Sequence, residues 1–179
     1  ATSGTTTLTL QAARRINMSA SGTNTITSAA GGPLNVVLWA NFSGGAAGAA
    51  AAGGVSNLNS ITTNGGFVWV GGGTATTTKN GVTVPNGPSV GGANVNWNPL
   101  DWYGLITTAG GDVMIWSGLG TNGNNYLTAA STAGINAGSG NITLRARDFN
   151  WFNGVNPSLA TTGTVSILPD VNGGSFNTS

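Results

Sequence analysis

Apolar residues recur two positions apart along much of this chain, in short runs punctuated by glycine and small polar residues. Val68 and Val70, Val113 and Ile115, Ile142 and Leu144, and Val165 and Ile167 each form such a pair. A spacing of two places both side chains on the same face of a strand, so each pair marks a strand with one buried side. Leu8-Thr9-Leu10 and the positions Leu34, Val36, Leu38, Ala40 and Phe42 carry the alternation towards the N-terminus. Helix signals are missing and Thr, Val, Ile and Gly dominate, so the chain reads as all-β.

These pairs belong to a longer repeat. Four segments share one pattern: Ile61-Thr-Thr-Asn-Gly-Gly-Phe-Val-Trp-Val70, Ile106-Thr-Thr-Ala-Gly-Gly-Asp-Val-Met-Ile115, Ile135-Asn-Ala-Gly-Ser-Gly-Asn-Ile-Thr-Leu144 and the shorter Leu159-Ala-Thr-Thr-Gly-Thr-Val-Ser-Ile167. Each runs from an apolar residue through a small polar turn with glycine into a strand. Their starts lie 45, 29 and 24 residues apart. The two shorter intervals suit one coil of a solenoid, with strands of about 4 to 6 residues joined by tight turns. The expectation is a single β-solenoid module over residues 1–179. Gly65-Gly66 and Gly110-Gly111 would turn corners through positive φ where adjacent coils approach closely.

Two stretches break the rhythm. Asn80-Gly81 lies between two Thr/Val runs in Thr76-Thr-Thr-Lys-Asn-Gly-Val-Thr-Val84, the preferred dipeptide of a type I′ hairpin turn. The 45-residue interval needs an insertion or an additional coil, and a protruding β-hairpin is expected there as a source for it, within a hairpin and loop insertion over residues 74–99. Residues 43–54 are almost wholly Ala and Gly and read as a loop.

Composition narrows the function. Only 5% of residues are charged, with five Lys plus Arg, four Asp, no Glu and no His, for a formal charge of +1. That cannot neutralise several phosphates or hold an anionic membrane surface, so neither nucleic acid nor membrane is an expected partner. No run approaches the ~18 apolar residues of a membrane span. The start, Ala1-Thr2-Ser3-Gly4, lacks the features of a signal peptide, so the chain is expected to be soluble and already processed, or cut from something longer. Cysteine is absent, which rules out disulfides and thiolate metal sites.

Candidate chemistry is sparse. Acid/base hydrolysis needs two carboxylates ~5 to 9.5 Å apart, and only Asp101, Asp112, Asp148 and Asp170 are present. None is close to another in sequence, so no catalytic, cofactor-binding or metal-binding residue is assigned. Arg145, Arg147 and Asp148 read as an exposed ion pair beside a strand. The Thr pairs Thr62-Thr63, Thr107-Thr108 and Thr161-Thr162 would either stack into a ladder like that of an ice-binding surface or cap turns with their hydroxyls. Surface contact is assigned to aromatics: Trp97, Trp102, Tyr103, Trp151 and Phe152 fall in two loop-like clusters, and Trp69, between inward Val68 and Val70, should point outwards. Such rings stack on sugars or seat a protein, and they also cover apolar surface beneath a loop.

Pro33-Leu-Asn-Val-Val-Leu-Trp39, Ile61-Thr-Thr-Asn-Gly-Gly66, Gly71-Gly-Gly73 and Gly110-Gly-Asp-Val-Met-Ile-Trp116 resemble repeats of the large filamentous-haemagglutinin-like adhesins. These belong to the two-partner secretion systems of Gram-negative bacteria, and the resemblance covers roughly residues 34–168. It implies a right-handed parallel β-helix, secreted or held at the cell surface, acting in adhesion, aggregation or biofilm cohesion without a cofactor. Its implied partners are neighbouring β-helical modules, copies of itself, glycans and cell-surface molecules. The expected function is therefore a structural or adhesive module that is not an enzyme. The alternative is a subunit of a self-assembling extracellular filament, because neither terminus shows a cap over the solenoid ends. A polysaccharide-active β-helix enzyme and an ice-binding protein are further alternatives.

Overall fold

In the computed structural model, residues 4–18, 24–29, 32–42, 54–89, 100–117, 126–129, 132–146, 148–151 and 156–169 are described. They are all-β, with strands in three parallel sheets and one antiparallel hairpin. The chain visits the parallel sheets in a fixed rotation. The first round is β1 (Thr6–Gln11), β2 (Arg15–Asn17) and β3 (Ile26–Thr27); the second is β4 (Leu34–Ala40), β5 (Gly54–Leu58) and β6 (Ile61–Thr62). β7 (Val68–Gly72) begins the third round and is followed by the hairpin of β8 (Thr76–Lys79) and β9 (Val82–Pro85). β10 (Leu100–Trp102) and β11 (Leu105–Thr107) complete that round. The fourth is β12 (Val113–Trp116), β13 (Tyr126–Ala129) and β14 (Gly134–Gly138), and the fifth β15 (Ile142–Arg145), β16 (Asp148–Trp151) and β17 (Ser158–Thr161). β18 (Val165–Leu168) returns to the first sheet, which therefore has six strands to the others' five, and none of the sheets closes on itself.

Every pairing between rounds among the described strands is parallel, and the inward positions set apolar residues over apolar ones. One column of the first sheet reads Leu8, Val36, Val68, Val113, Ile142, Val165, and the next reads Leu10, Leu38, Val70, Ile115, Leu144, Ile167. The third sheet stacks Ile26, Ile61, Ile106, Ile135 and Leu159. The second sheet aligns Ile16, Val55, Leu100, Leu127 and Phe149. The buried members of these columns, from Ile16 and Val36 to Ile142 and Leu144, form one continuous core with Leu58 and Trp102, and Leu58, Ile61, Ile106 and Ile142 are fully buried. Each such side chain contributes ~1.5–3 kcal/mol relative to an exposed one.

The corner from third sheet to first explains the glycine pairs. Asn64 and Ala109 both take φ near +52°, and the glycines after them continue in the left-handed region, Gly65 at φ 102° and Gly110 at φ 116°. The second glycine of each pair has a different task. A Cβ on Gly66 would lie 2.2 Å from the Leu34 carbonyl oxygen, and one on Gly111 would lie 2.0 Å from the Gly66 carbonyl oxygen. Gly140 repeats this at 2.1 Å from the Gly111 oxygen, so the rounds touch backbone to backbone at this corner. Thr63, Thr108 and Thr161 close it from within, donating their hydroxyls to the carbonyls of Gly66, Gly111 and Gly140.

The hairpin forms as its turn residues dictate, with Asn80 at φ 50° and Gly81 at φ 80°, both positive as a type I′ turn requires. It does not protrude, however. Val84 is fully buried against Val37, Trp39 and Phe67 on the outer face of the first sheet, with Val82 and Trp69 packed alongside. Burying this face removes more apolar area than leaving the strands in water, which is why the hairpin folds back.

Candidate functional site

The outer face of the first sheet carries most of the placed aromatics. The Trp39 indole N–H donates to the Gly73 carbonyl at 2.8 Å, and that of Trp69 to the Pro85 carbonyl at 2.9 Å, fixing both rings where the hairpin meets the sheet. Lys79 at the hairpin tip forms an ion pair with Asp112, just before β12. Asp112 also accepts a hydrogen bond from the Asn141 backbone N–H at 2.7 Å. Burial pushes its pKa up, but the Lys79 hydrogen bond and charge together with Asn141 outweigh this, and the net shift is downward. Asp112 is thus an ionised strut holding the hairpin to the sheet.

The residues assigned to surface contact do not form one surface. Trp69 points outwards as its position between Val68 and Val70 dictates, yet it is half-buried beneath the hairpin. Trp102 is fully buried, which corrects its assignment to a loop cluster: it lies two positions from inward Leu100 and aligns with Leu58. Its indole N–H is satisfied inside by the Gly104 carbonyl at 2.7 Å. Tyr103 follows at the turn into β11, half-buried, with its carbonyl accepting from the Thr132 hydroxyl at 2.6 Å. Trp151 ends β16 in register with Ala129, its side chain outside the described residues, where Trp97 and Phe152 also fall.

Other groups were placed differently by sequence alone. Phe42 continues the inward alternation of β4 on paper, but Asn41 at φ 51° ends that alternation, and Phe42 is 44% exposed. Its ring meets Trp39 edge to face at 5.2 Å. The Arg145 guanidinium lies over the Trp116 ring at 3.8 Å, a cation–π contact. Arg147 and the Asp148 side chain are outside the described residues. Thr107 stacks on Thr62, but Asn136 and Ala160 continue that column, and Thr161 is in register with Gly138 instead. The three pairs therefore do not build one Thr ladder, and Thr63 and Thr108 are buried turn caps.

Among the described residues no group of three His, Cys, Asp or Glu converges on one point. A cavity of about 330 Å³ lies between β3 and the start of β4, lined in part by Thr6, Thr27, Ser28 and Pro33. Its Ser28 hydroxyl is already committed to the Gly32 carbonyl. Among the described residues the exposed large apolar groups are Leu105 of β11 at 48%, Phe42 at 44%, and, in the outermost strands of the first sheet, Leu10 at 38%, Val165 at 42%, Ile167 at 44% and Leu168 at 41%. No protein-family model, curated protein or solved structure matches this chain.

Proposed function

We propose that this chain is a right-handed parallel β-helix module of a secreted bacterial surface or matrix protein, of the filamentous-haemagglutinin-like kind, and that it serves as a rigid, non-catalytic spacer. The observation that carries the reading is the set of apolar columns in which each round repeats the register of the one before. A chain that passes through three parallel sheets in constant rotation couples every residue to its neighbours above and below, which stiffens it along the stacking direction. The right-handed sense follows the strong preference for right-handed connections between parallel strands of one sheet.

A spacer role also fits the chemistry of the carboxylates. Asp112 is occupied by Lys79 and Asn141. Asp101 and Asp148 occupy different register columns of the second sheet, Asp101 aligned with Thr128 and Asp148 with Tyr126. The module would present neighbouring modules of the same protein to glycans or cell-surface molecules rather than process them.

Incubation of the purified chain with a panel of acidic and neutral glycans tests this. The expected result is no cleavage product from any of them. Turnover that disappears in Asp112→Asn would overturn the spacer reading in favour of a polysaccharide-active enzyme.

A further inference from the structure

We propose that Asn80 is a self-modification site: its side-chain amide is lost through attack by the Gly81 backbone nitrogen, and the resulting carboxylate loosens the hairpin from the first sheet. Asn-Gly is the dipeptide in which this reaction is least hindered, because glycine has no Cβ beside the attacking nitrogen. The chain has six such dipeptides, and three of them, at Asn64, Asn80 and Asn86, lie among the described residues.

The three differ in their surroundings. The reaction needs a glycine nitrogen released from hydrogen bonding and a main chain able to swing into the ring-closing conformation. At the corner, the Gly65 N–H donates to the Thr108 carbonyl of the following round at 2.5 Å, and Gly66 beside it lies against the Leu34 carbonyl. Freeing that nitrogen requires two rounds to part. Gly87 is buried, its carbonyl accepts from the Gly72 N–H at 2.9 Å, and the Asn86 N–H is held by the Ala75 carbonyl at 2.8 Å. Asn80 and Gly81 are both exposed at the hairpin tip, and a Cβ on Gly81 would meet nothing within 4 Å. Among the described residues no group accepts from the Gly81 N–H. Opening there needs only a two-residue turn to fray, and exposed tips with few buried contacts open at the least cost in a fold.

Solvent is the only other reactant. The Gly81 nitrogen gives its proton to solvent and bonds to Asn80 Cγ; the Cγ–Nδ2 bond breaks, and the amide takes up a proton and leaves as ammonia. Water then opens the five-membered imide. Hydrolysis at Cγ gives aspartate, and hydrolysis at the former peptide carbonyl gives isoaspartate, whose main chain runs through Cγ. Both products place a carboxylate directly after Lys79, the residue whose ammonium pairs with Asp112. The new charge competes for Lys79 and repels Asp112. Isoaspartate also lengthens the main chain by one carbon, and a two-residue turn built on φ of 50° at Asn80 and 80° at Gly81 cannot keep its register with the extra atom. What comes loose is the cover over Val37, Trp39 and Phe67, against which Val84 is buried. The modification is a slow, one-way release of this face of the first sheet, and it stands whether or not the module serves as a spacer.

Ageing the full chain in warm, mildly alkaline buffer and mapping its peptides by mass spectrometry tests this. Aspartate and isoaspartate are expected to accumulate at Asn80 several-fold faster than at Asn64 or Asn86, with isoaspartate identified by electron-transfer fragmentation. Asp112→Asn, which removes the carboxylate that holds Lys79, should speed conversion at Asn80 several-fold and leave the rate at Asn64 unchanged. Hydrogen exchange on the modified fraction reads the consequence. Thr77 and Val84 are register partners across the hairpin, and their amides should exchange several-fold faster than in the fresh chain, while those of Val68 and Val113 keep their rates. Conversion at Asn80 no faster than at Asn64, no acceleration in Asp112→Asn, or unchanged exchange at Thr77 and Val84 would overturn the proposal.

Discussion

Gly111→Ala is the sharpest test of the corner that holds successive rounds together. The added methyl would lie 2.0 Å from the Gly66 carbonyl oxygen, 2.4 Å from its carbon and 2.9 Å from the Phe67 nitrogen. All three are backbone atoms of the preceding round, so no side chain can swing aside. Ordinary van der Waals contact requires the two rounds to part locally by more than ~1 Å. Overpacking of this kind costs ~1–3 kcal/mol. Parting also stretches the Val68-to-Asp112 and Gly65-to-Thr108 backbone hydrogen bonds, at ~1 kcal/mol each. The expected loss is ~3–5 kcal/mol in denaturant unfolding, or a drop of roughly 10 °C in Tm for a chain of this size. Gly73→Ala is the matched comparison, since its Cβ would meet nothing within 4 Å and only its φ of 77° is unfavourable. That should cost ~1–2 kcal/mol. Equal effects of the two substitutions, or a Gly111→Ala protein within ~0.5 kcal/mol of the parent, would refute the claim that the rounds touch there.

Thr108→Val keeps the shape of a buried residue but removes the hydroxyl that serves the Gly111 carbonyl, and should cost ~1–2 kcal/mol in the same assay. Ala109→Asn should stabilise by ~0.5–1 kcal/mol, because Ala109 holds φ 52° at the corner where Asn64 takes the same conformation one round earlier. Asp112→Asn should cost ~0.5–1 kcal/mol near neutral pH and more at low salt than at high. The folded pKa of Asp112 lies below its ordinary value of 3.8, so its contribution is present above that value and lost as pH falls through the lowered one. Parent and variant should therefore converge in stability well below pH 3.8, and a gap that persists there would count against the Lys79 pairing.

Strands that carry two inward residues were legible in the sequence. Val68 with Val70 and Val113 with Ile115 lie in parallel columns as the period of two requires, and the repeat starts Ile61, Ile106, Ile135 and Leu159 stack directly on one another. Because Ile61 and Ile106 are neighbours, the 45-residue interval is one round with an insertion and holds no additional coil. Short strands were harder to place. β2 and β10 have three residues each, too few for a periodic signal, although the spacing of Leu100 and Trp102 did carry the clue that Trp102 faces inwards. The covering of Trp69 was invisible because it depends on how the hairpin packs, while the local residues determine only that a hairpin forms. Phe42 went astray through a single left-handed residue, Asn41, that resets the alternation.

The central claim is that successive rounds stack in parallel register. Cross-strand amide contacts mapped by nuclear Overhauser effects on the isotopically labelled chain test it most directly. The account predicts contacts linking Val36, Val68, Val113, Ile142 and Val165 in series, with antiparallel contacts confined, among the described residues, to the hairpin at 76–85. Antiparallel contacts between β12 and β15, or a shift of one residue between Val113 and Ile142, would contradict it.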